Sequence, residues 1–190
     1  MGDSLDKDLY HTCEANGGPD IVAKQAPFLS VNNERQWLTQ GYYFWIEDIR
    51  FAHFWGKNSV KGDYAIIRSK VKLDDGEYLD LIGSPLHISY FKALISKYLE
   101  KVRKELDSRY DPTVHEVIAH YRKWAEKQPS LFPFKAISCC DDSENLKRKF
   151  IKPGGRERLA LNERQQLCLF KGNEDSIHEK ELVHPEDWCA

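Results

Sequence analysis

Three short segments hold residues whose types and spacing can do chemistry. The first is His11-Thr12, near the end of the alternating run from Asp8 to Cys13. An imidazole there offers one donor and one acceptor near neutral pH. The second is Gly41-Tyr42-Tyr43-Phe44-Trp45, followed by a stretch carrying Arg50, Ala52 and Phe54. Aromatic rings at this density supply core packing, and they also offer faces on which a flat ring stacks. The third is Gln165-Gln166, leading into Leu167-Cys168-Leu169-Phe170. An amide at the mouth of a strand can hydrogen-bond a hydroxyl but cannot take a proton or carry charge. From Lys147 to Lys171, overlapping the third segment, Lys147, Arg148, Lys149, Lys152, Arg156, Arg158, Arg164 and Lys171 make a basic stretch that Glu157 and Glu163 offset only partly. Such a stretch is a solvated surface loop or a phosphate-attracting one.

Local patterns indicate the elements that must hold these residues. Alternation predicts a strand over 8–13, with Leu9, His11 and Cys13 on one face. Asn16-Gly17-Gly18-Pro19 breaks it, and a short helix follows from Asp20 through Lys24. The aromatic run from Gly41 predicts a strand. Glu47-Asp48 then opens a helix, with Gly56 as its stop. Tyr64 to Leu73 is a strand closed by the turn Asp74-Asp75-Gly76, and Glu77 to Leu81 continues the sheet. Ser84-Pro85 caps an amphipathic helix running to about Arg109, and Asp111-Pro112 opens a second one. Phe134 to Cys140 and Gln166 to Phe170 are two further strands. In the latter, Leu167 and Leu169 face the core, which turns Gln166, Cys168 and Phe170 the other way. Strands early and late with helices between them give the α+β class.

The chain has 190 residues, which fits one domain, 1–190, that can fold without a disulfide or structural metal. Its 28 basic and 30 acidic residues leave a net charge of −2, which argues against a protein that coats nucleic acid. No apolar run approaches the length of a membrane span, and residues 1–8 carry three aspartates and no apolar stretch. The expected compartment is the cytoplasm. Cys13, Cys139, Cys140, Cys168 and Cys189 form no C-x-x-C pair and are read as reduced thiols. His115 and His120 lie five apart on the helix that Asp111-Pro112 opens, on different faces, so no metal is expected. Phosphate-loop and dinucleotide-turn glycine motifs are absent.

Taken in order, the three segments resemble the ADP-ribosyltransferase superfamily, in its diphtheria-toxin-like and poly-ADP-ribose-polymerase-like branch. That family carries a His-Tyr-Glu triad on three separated strands. Leu9-Tyr10-His11-Thr12 is similar to its first motif, with Thr12 where Gly is commonest. Gly41-Tyr42-Tyr43-Phe44 is similar to its Gly-x-Tyr-Phe motif, and Ala52-His53-Phe54 sets a second ring eleven residues after Tyr43. Gln166-Leu167-Cys168-Leu169 resembles the third motif, so Gln166 takes the triad position, with Gln165 and Glu163 as alternatives.

The resemblance implies a split β-sheet with NAD folded across the cleft between its halves, and an inserted α-helical hairpin at about 84–128. His11 would bond a ribose hydroxyl, and the Thr12 backbone would grip the nicotinamide carboxamide. Tyr43 and Phe54 would sandwich the nicotinamide ring, with Arg50 also on the NAD side. Gln166 would bond the nicotinamide-ribose hydroxyl. The implied activity is mono-ADP-ribosyl transfer from NAD to a protein or nucleic acid, with Arg156, Arg158 and Arg164 toward the acceptor. The implied role is a bacterial toxin or defence effector, with an antitoxin as a partner. Two alternatives use the same cleft: an NAD glycohydrolase, and a catalytically weak NAD-binding module.

Overall fold

A computed structural model describes residues 5–33, 36–74, 76–105, 109–140, 147–149, 158–160 and 164–189. The fold is α+β, a mixed seven-stranded sheet with helices on both faces. The strands are β1 (Leu5–Glu14), β2 (Gly41–Ile46), β3 (Tyr64–Val71), β4 (Tyr78–Asp80), β5 (Ala136–Cys140), β6 (Lys147–Lys149), β7 (Arg158–Ala160), β8 (Gln165–Phe170) and β9 (Ile177–His184). The helices are α1 (Pro19–Gln25), α2 (Ile49–Ser59), α3 (Pro85–Glu105) and α4 (Val114–Ala125). The large sheet runs β4-β5-β8-β2-β1-β3-β9, parallel only between β4 and β5, while β6 and β7 pair separately. The three motif strands, β1, β2 and β8, are therefore neighbours at the sheet centre.

Strand alternation sorts the core into layers. On one face Leu9, Phe44, Ile46, Leu167 and Leu169 form a buried cluster, and Val22 and Ala26 of the α1 region pack on Cys13, Ala65 and Ile67. On the other face α3 and α4 bury Phe91, Leu94, Val117 and Ile118 against Ile137, Cys168 and Phe170. Beside them α2 buries Ala52 against Trp45 and Ile66. The alternation read from β8 holds, but both of its sides are covered, so Cys168 and Phe170 are as buried as Leu167 and Leu169.

Two local expectations are corrected, and one strand is unexpected. Helix α2 does not stop at Gly56 but continues to Ser59, because Gly56 lets the helix lie directly on the Tyr64 ring. Helix α4 is capped by Thr113 rather than opened by Asp111-Pro112. The Thr113 hydroxyl accepts the Glu116 amide, and the Glu116 carboxylate accepts the Thr113 amide. Strand β9, which no alternation announced, pairs antiparallel with β3 and closes one edge of the sheet.

Among the described residues no helix is long and apolar enough to cross a membrane, and no disulfide joins any of the five cysteines.

Candidate active site

The ladder between β1 and β2 is short. Leu9 pairs with Ile46 and Tyr10 with Trp45, and the registered pairs end there. Beyond that point β1 stays registered with β3 as far as Glu14, and β2 stays registered with β8 back to Gly41. The sheet thus parts between its two central strands. The gap opens into a cavity of about 710 Å³, within the size range of small-molecule sites.

His11 bridges the mouth of this gap. Its Nδ1–H donates to the Tyr43 carbonyl at 2.9 Å, and its Nε2 accepts the Phe28 amide at 3.1 Å. Two backbone partners fix the tautomer, because the carbonyl can only accept and the amide can only donate. The ring is 7% exposed, between Phe28 and the edge of Phe44. Burial lowers its pKa to about 4, against the favourable pull of the Tyr43 carbonyl, so the imidazole is neutral at physiological pH.

Thr12, the next residue, turns to the opposite face, where its hydroxyl donates to the Ala52 carbonyl of α2 at 2.9 Å. Tyr43 and Gln166 lie on that face too, in register with Cys168 and Trp45 respectively. The Tyr43 hydroxyl donates to the Thr39 carbonyl at 2.8 Å and accepts the Leu38 amide at 3.0 Å. Burial holds it well above the usual phenol range, so Tyr43 offers the cavity a ring face and no ionisable group. Gln166 is 9% exposed. His11, Thr12, Tyr43 and Gln166 all line the one cavity, although His11 approaches from one face of the sheet and the other three from the opposite face.

Aromatic rings make up part of the remaining wall, beside polar side chains such as Asn16, Gln25 and Ser30. Trp37, Trp45 and Trp55 line the cavity, and Trp37 and Trp55 are both nearly half exposed. Trp55 was not singled out in the sequence: Phe54 satisfies the expected spacing, but the cavity is lined by its neighbour. Phe54 is exposed beside Arg164, whose guanidinium sits 5.1 Å from its ring centre and 6.0 Å from that of Phe51. Arg50 is also away from the lining and holds Asp48 in a two-pronged ion pair that pulls the Asp48 carboxyl below its ordinary range. Of the alternatives for the third position, Gln165 alternates to the other face and Glu163 lies outside the described residues. Arg156 is also outside them, and Arg158 opens β7.

In chemical terms the site is a partly open, largely apolar cleft whose wall combines aromatic rings with mostly neutral polar groups. Among the described residues Glu14 is the one carboxylate in its lining, no lysine or arginine lines it, and no cluster of metal-ligating side chains occurs. The arrangement suits holding a flat ring by stacking and by backbone hydrogen bonds. Comparisons with family models, with curated proteins and with solved structures found no match to this chain.

Proposed function

We propose that the protein is an NAD-dependent mono-ADP-ribosyltransferase that moves ADP-ribose to a macromolecular acceptor and releases nicotinamide. One observation carries the reading. Residues 11, 12, 43 and 166, drawn from three segments far apart in the chain, converge on one aromatic cavity where the sheet parts. The same parting supports the split-sheet ADP-ribosyltransferase fold. Registered pairing stops two residues short of Thr12, which leaves its β2-facing backbone edge suited to a carboxamide. Tyr43 and Trp55 supply ring faces for the nicotinamide.

In this reading the slot holds the nicotinamide riboside in a fixed pose, which lowers the barrier by preorganisation. The bond from ribose C1 to the nicotinamide nitrogen breaks, its electron pair leaves with nicotinamide, and an acceptor nucleophile bonds to C1 as its proton passes to solvent. Gln166 hydrogen-bonds the ribose hydroxyl as positive charge develops on the sugar. The acceptor supplies its own nucleophilicity, because no triad position carries a carboxylate and the His11 Nε2 lone pair is taken by the Phe28 amide. Arg156, Arg158 and Arg164 remain the basic residues assigned to the acceptor in this scheme, and toxicity inside a cell is the expected biological effect.

A second reading has its own support. Both His11 nitrogens and the Tyr43 hydroxyl are already hydrogen-bonded to backbone, as in a module that binds NAD and turns it over weakly. The test is nicotinamide release from NAD labelled in its adenylate phosphate, with cell lysate present, comparing wild type with Tyr43→Ala after a thermal melt confirms folding. Release that depends on Tyr43, with label moving to protein or nucleic acid, supports the transferase. Label confined to free ADP-ribose identifies a glycohydrolase. Binding without release identifies the module, and release undiminished in Tyr43→Ala removes the site.

A further inference from the structure

Helix α4 reaches back to the cavity through two side chains seven residues apart, which is two turns and therefore one face of the helix. His115 donates from Nδ1–H to the Gln36 carbonyl. Arg122 donates to the Thr39 hydroxyl and, at 2.9 Å, to the Gln40 carbonyl, while its guanidinium lies 4.2 Å from the centre of the Phe170 ring. All three acceptors belong to residues 36–40, the last stretch of the loop that leads into β2.

That loop is a wall of the cavity. Gln36 and Trp37 line it, and Leu38 is buried between Val117, Ile118 and Cys168. The loop also fixes Tyr43, because the Tyr43 hydroxyl is held by the Leu38 amide and the Thr39 carbonyl. Thr39 has a φ of 71°, a left-handed conformation that a β-branched residue keeps only where its surroundings enforce it. Arg122 is the group that grips the Thr39 side chain. The chain of contacts thus runs from α4 to the loop, and from the loop to Trp37 and the Tyr43 ring.

We infer that His115 and Arg122 are positioning residues, through which the helical hairpin sets the place of Trp37 and Tyr43 in the cavity wall. The hairpin is then a working part of the site rather than an appendage. The choice of NAD as probe rests on the transferase reading; the clamp itself does not.

The test pairs two measurements on the full chain. The first is native-state amide hydrogen exchange at Leu38 in wild type, Arg122→Leu, Arg122→Lys and Thr39→Val. The second is KM and kcat for nicotinamide release from NAD. Losing a charge-assisted bond in a half-buried site is expected to speed Leu38 exchange and raise KM by about tenfold in Arg122→Leu, with kcat changed less than about threefold. Arg122→Lys, which keeps the charge and a donor, is expected to fall between. Thr39→Val, which removes one acceptor without touching α4, is expected to repeat the Leu38 effect and serves if Arg122→Leu does not fold. Leu38 exchange unchanged in the folded variants, or rising no more than that of the Ile67 and Leu167 core amides, overturns the clamp. If wild type releases no nicotinamide, the NAD reading fails while the Leu38 exchange rates still decide the clamp.

Discussion

His11 and Tyr43 meet through the imidazole of one and the main-chain carbonyl of the other, at 2.9 Å across the point where β1 and β2 part. Their side chains point to opposite faces of the sheet. The bond is a structural tie as well as a feature of the cavity, since it spans the gap that registered pairing leaves. It also requires a neutral ring, because Nε2 must stay free to accept the Phe28 amide.

That requirement gives the protein an acid-sensitive joint. Burial lowers the His11 pKa from an ordinary 6.5 to about 4. Between these values the unfolded chain binds a proton that the folded chain refuses, so stability rises with pH through the window and is lost as pH falls from about 6.5 toward about 4. The full shift corresponds to about 3 kcal/mol from this residue. Denaturant unfolding at pH 7, 5.5 and 4.5 is expected to show the loss, and a His11→Gln variant to show a shallower slope. Equal slopes in the two proteins would place the acid sensitivity elsewhere.

How legible this site was depends on whether the signal was local. The strand from Gly41, the alternation of Gln166 to Phe170 and the Ser84-Pro85 helix start were readable because periodicity and capping act within a few residues. The Thr113-x-x-Glu116 capping box was equally readable, but the neighbouring Asp111-Pro112 hid it. Strand β9 was not legible: its charged, largely exposed residues show no apolar alternation, and it is held by pairing with β3 across a break in register. Spacing from Tyr43 chose Phe54, whereas the cavity is lined by Trp55, one residue and about 100° further around α2. The opposed facing of His11 and Tyr43 arises from long-range register, which no local pattern encodes.

Gly56 illustrates the same limit and yields a test. A Cβ built at this position falls inside the van der Waals envelope of the Tyr64 ring. That ring cannot swing aside, because it stacks on His184 at 4.5 Å and its hydroxyl bonds His53 Nδ1 at 3.0 Å. Gly56→Ala is therefore expected to lower stability by about 1–3 kcal/mol from overpacking. This outweighs the gain of up to about 1 kcal/mol that alanine brings to a helix. A urea titration reads the result directly; a higher midpoint would mean that the ring yields.

The two neighbouring aromatics on α2 separate cleanly by experiment. Trp55 lines the cavity, whereas Phe54 stands beside Arg164. Trp55→Ala is expected to weaken NAD binding about tenfold, as the loss of one stacking face does. Phe54→Ala should leave it within about twofold. Equilibrium dialysis with NAD measures both, and the reverse order would return Phe54 to the ring-stacking position that its spacing from Tyr43 first indicated.

Gln166 carries the last test, because its side chain is the polar group from β8 that lines the cavity. A neutral amide can orient a ribose hydroxyl, but a carboxylate there would also stabilise the developing cation and accept a proton. Gln166→Glu is therefore expected to raise the rate of nicotinamide release by about tenfold or more, the lower end of what a positioned carboxylate contributes being about 10². NAD affinity should change little. Gln165→Glu, one residue away on the opposite face, is the matched control and should leave the rate as it is. Acceleration in the Gln165 variant alone would shift the third position by one residue and reverse the facing assigned to β8. A folded Gln166→Glu protein that still binds NAD and releases nicotinamide no faster would detach this residue from the chemistry and favour the binding module.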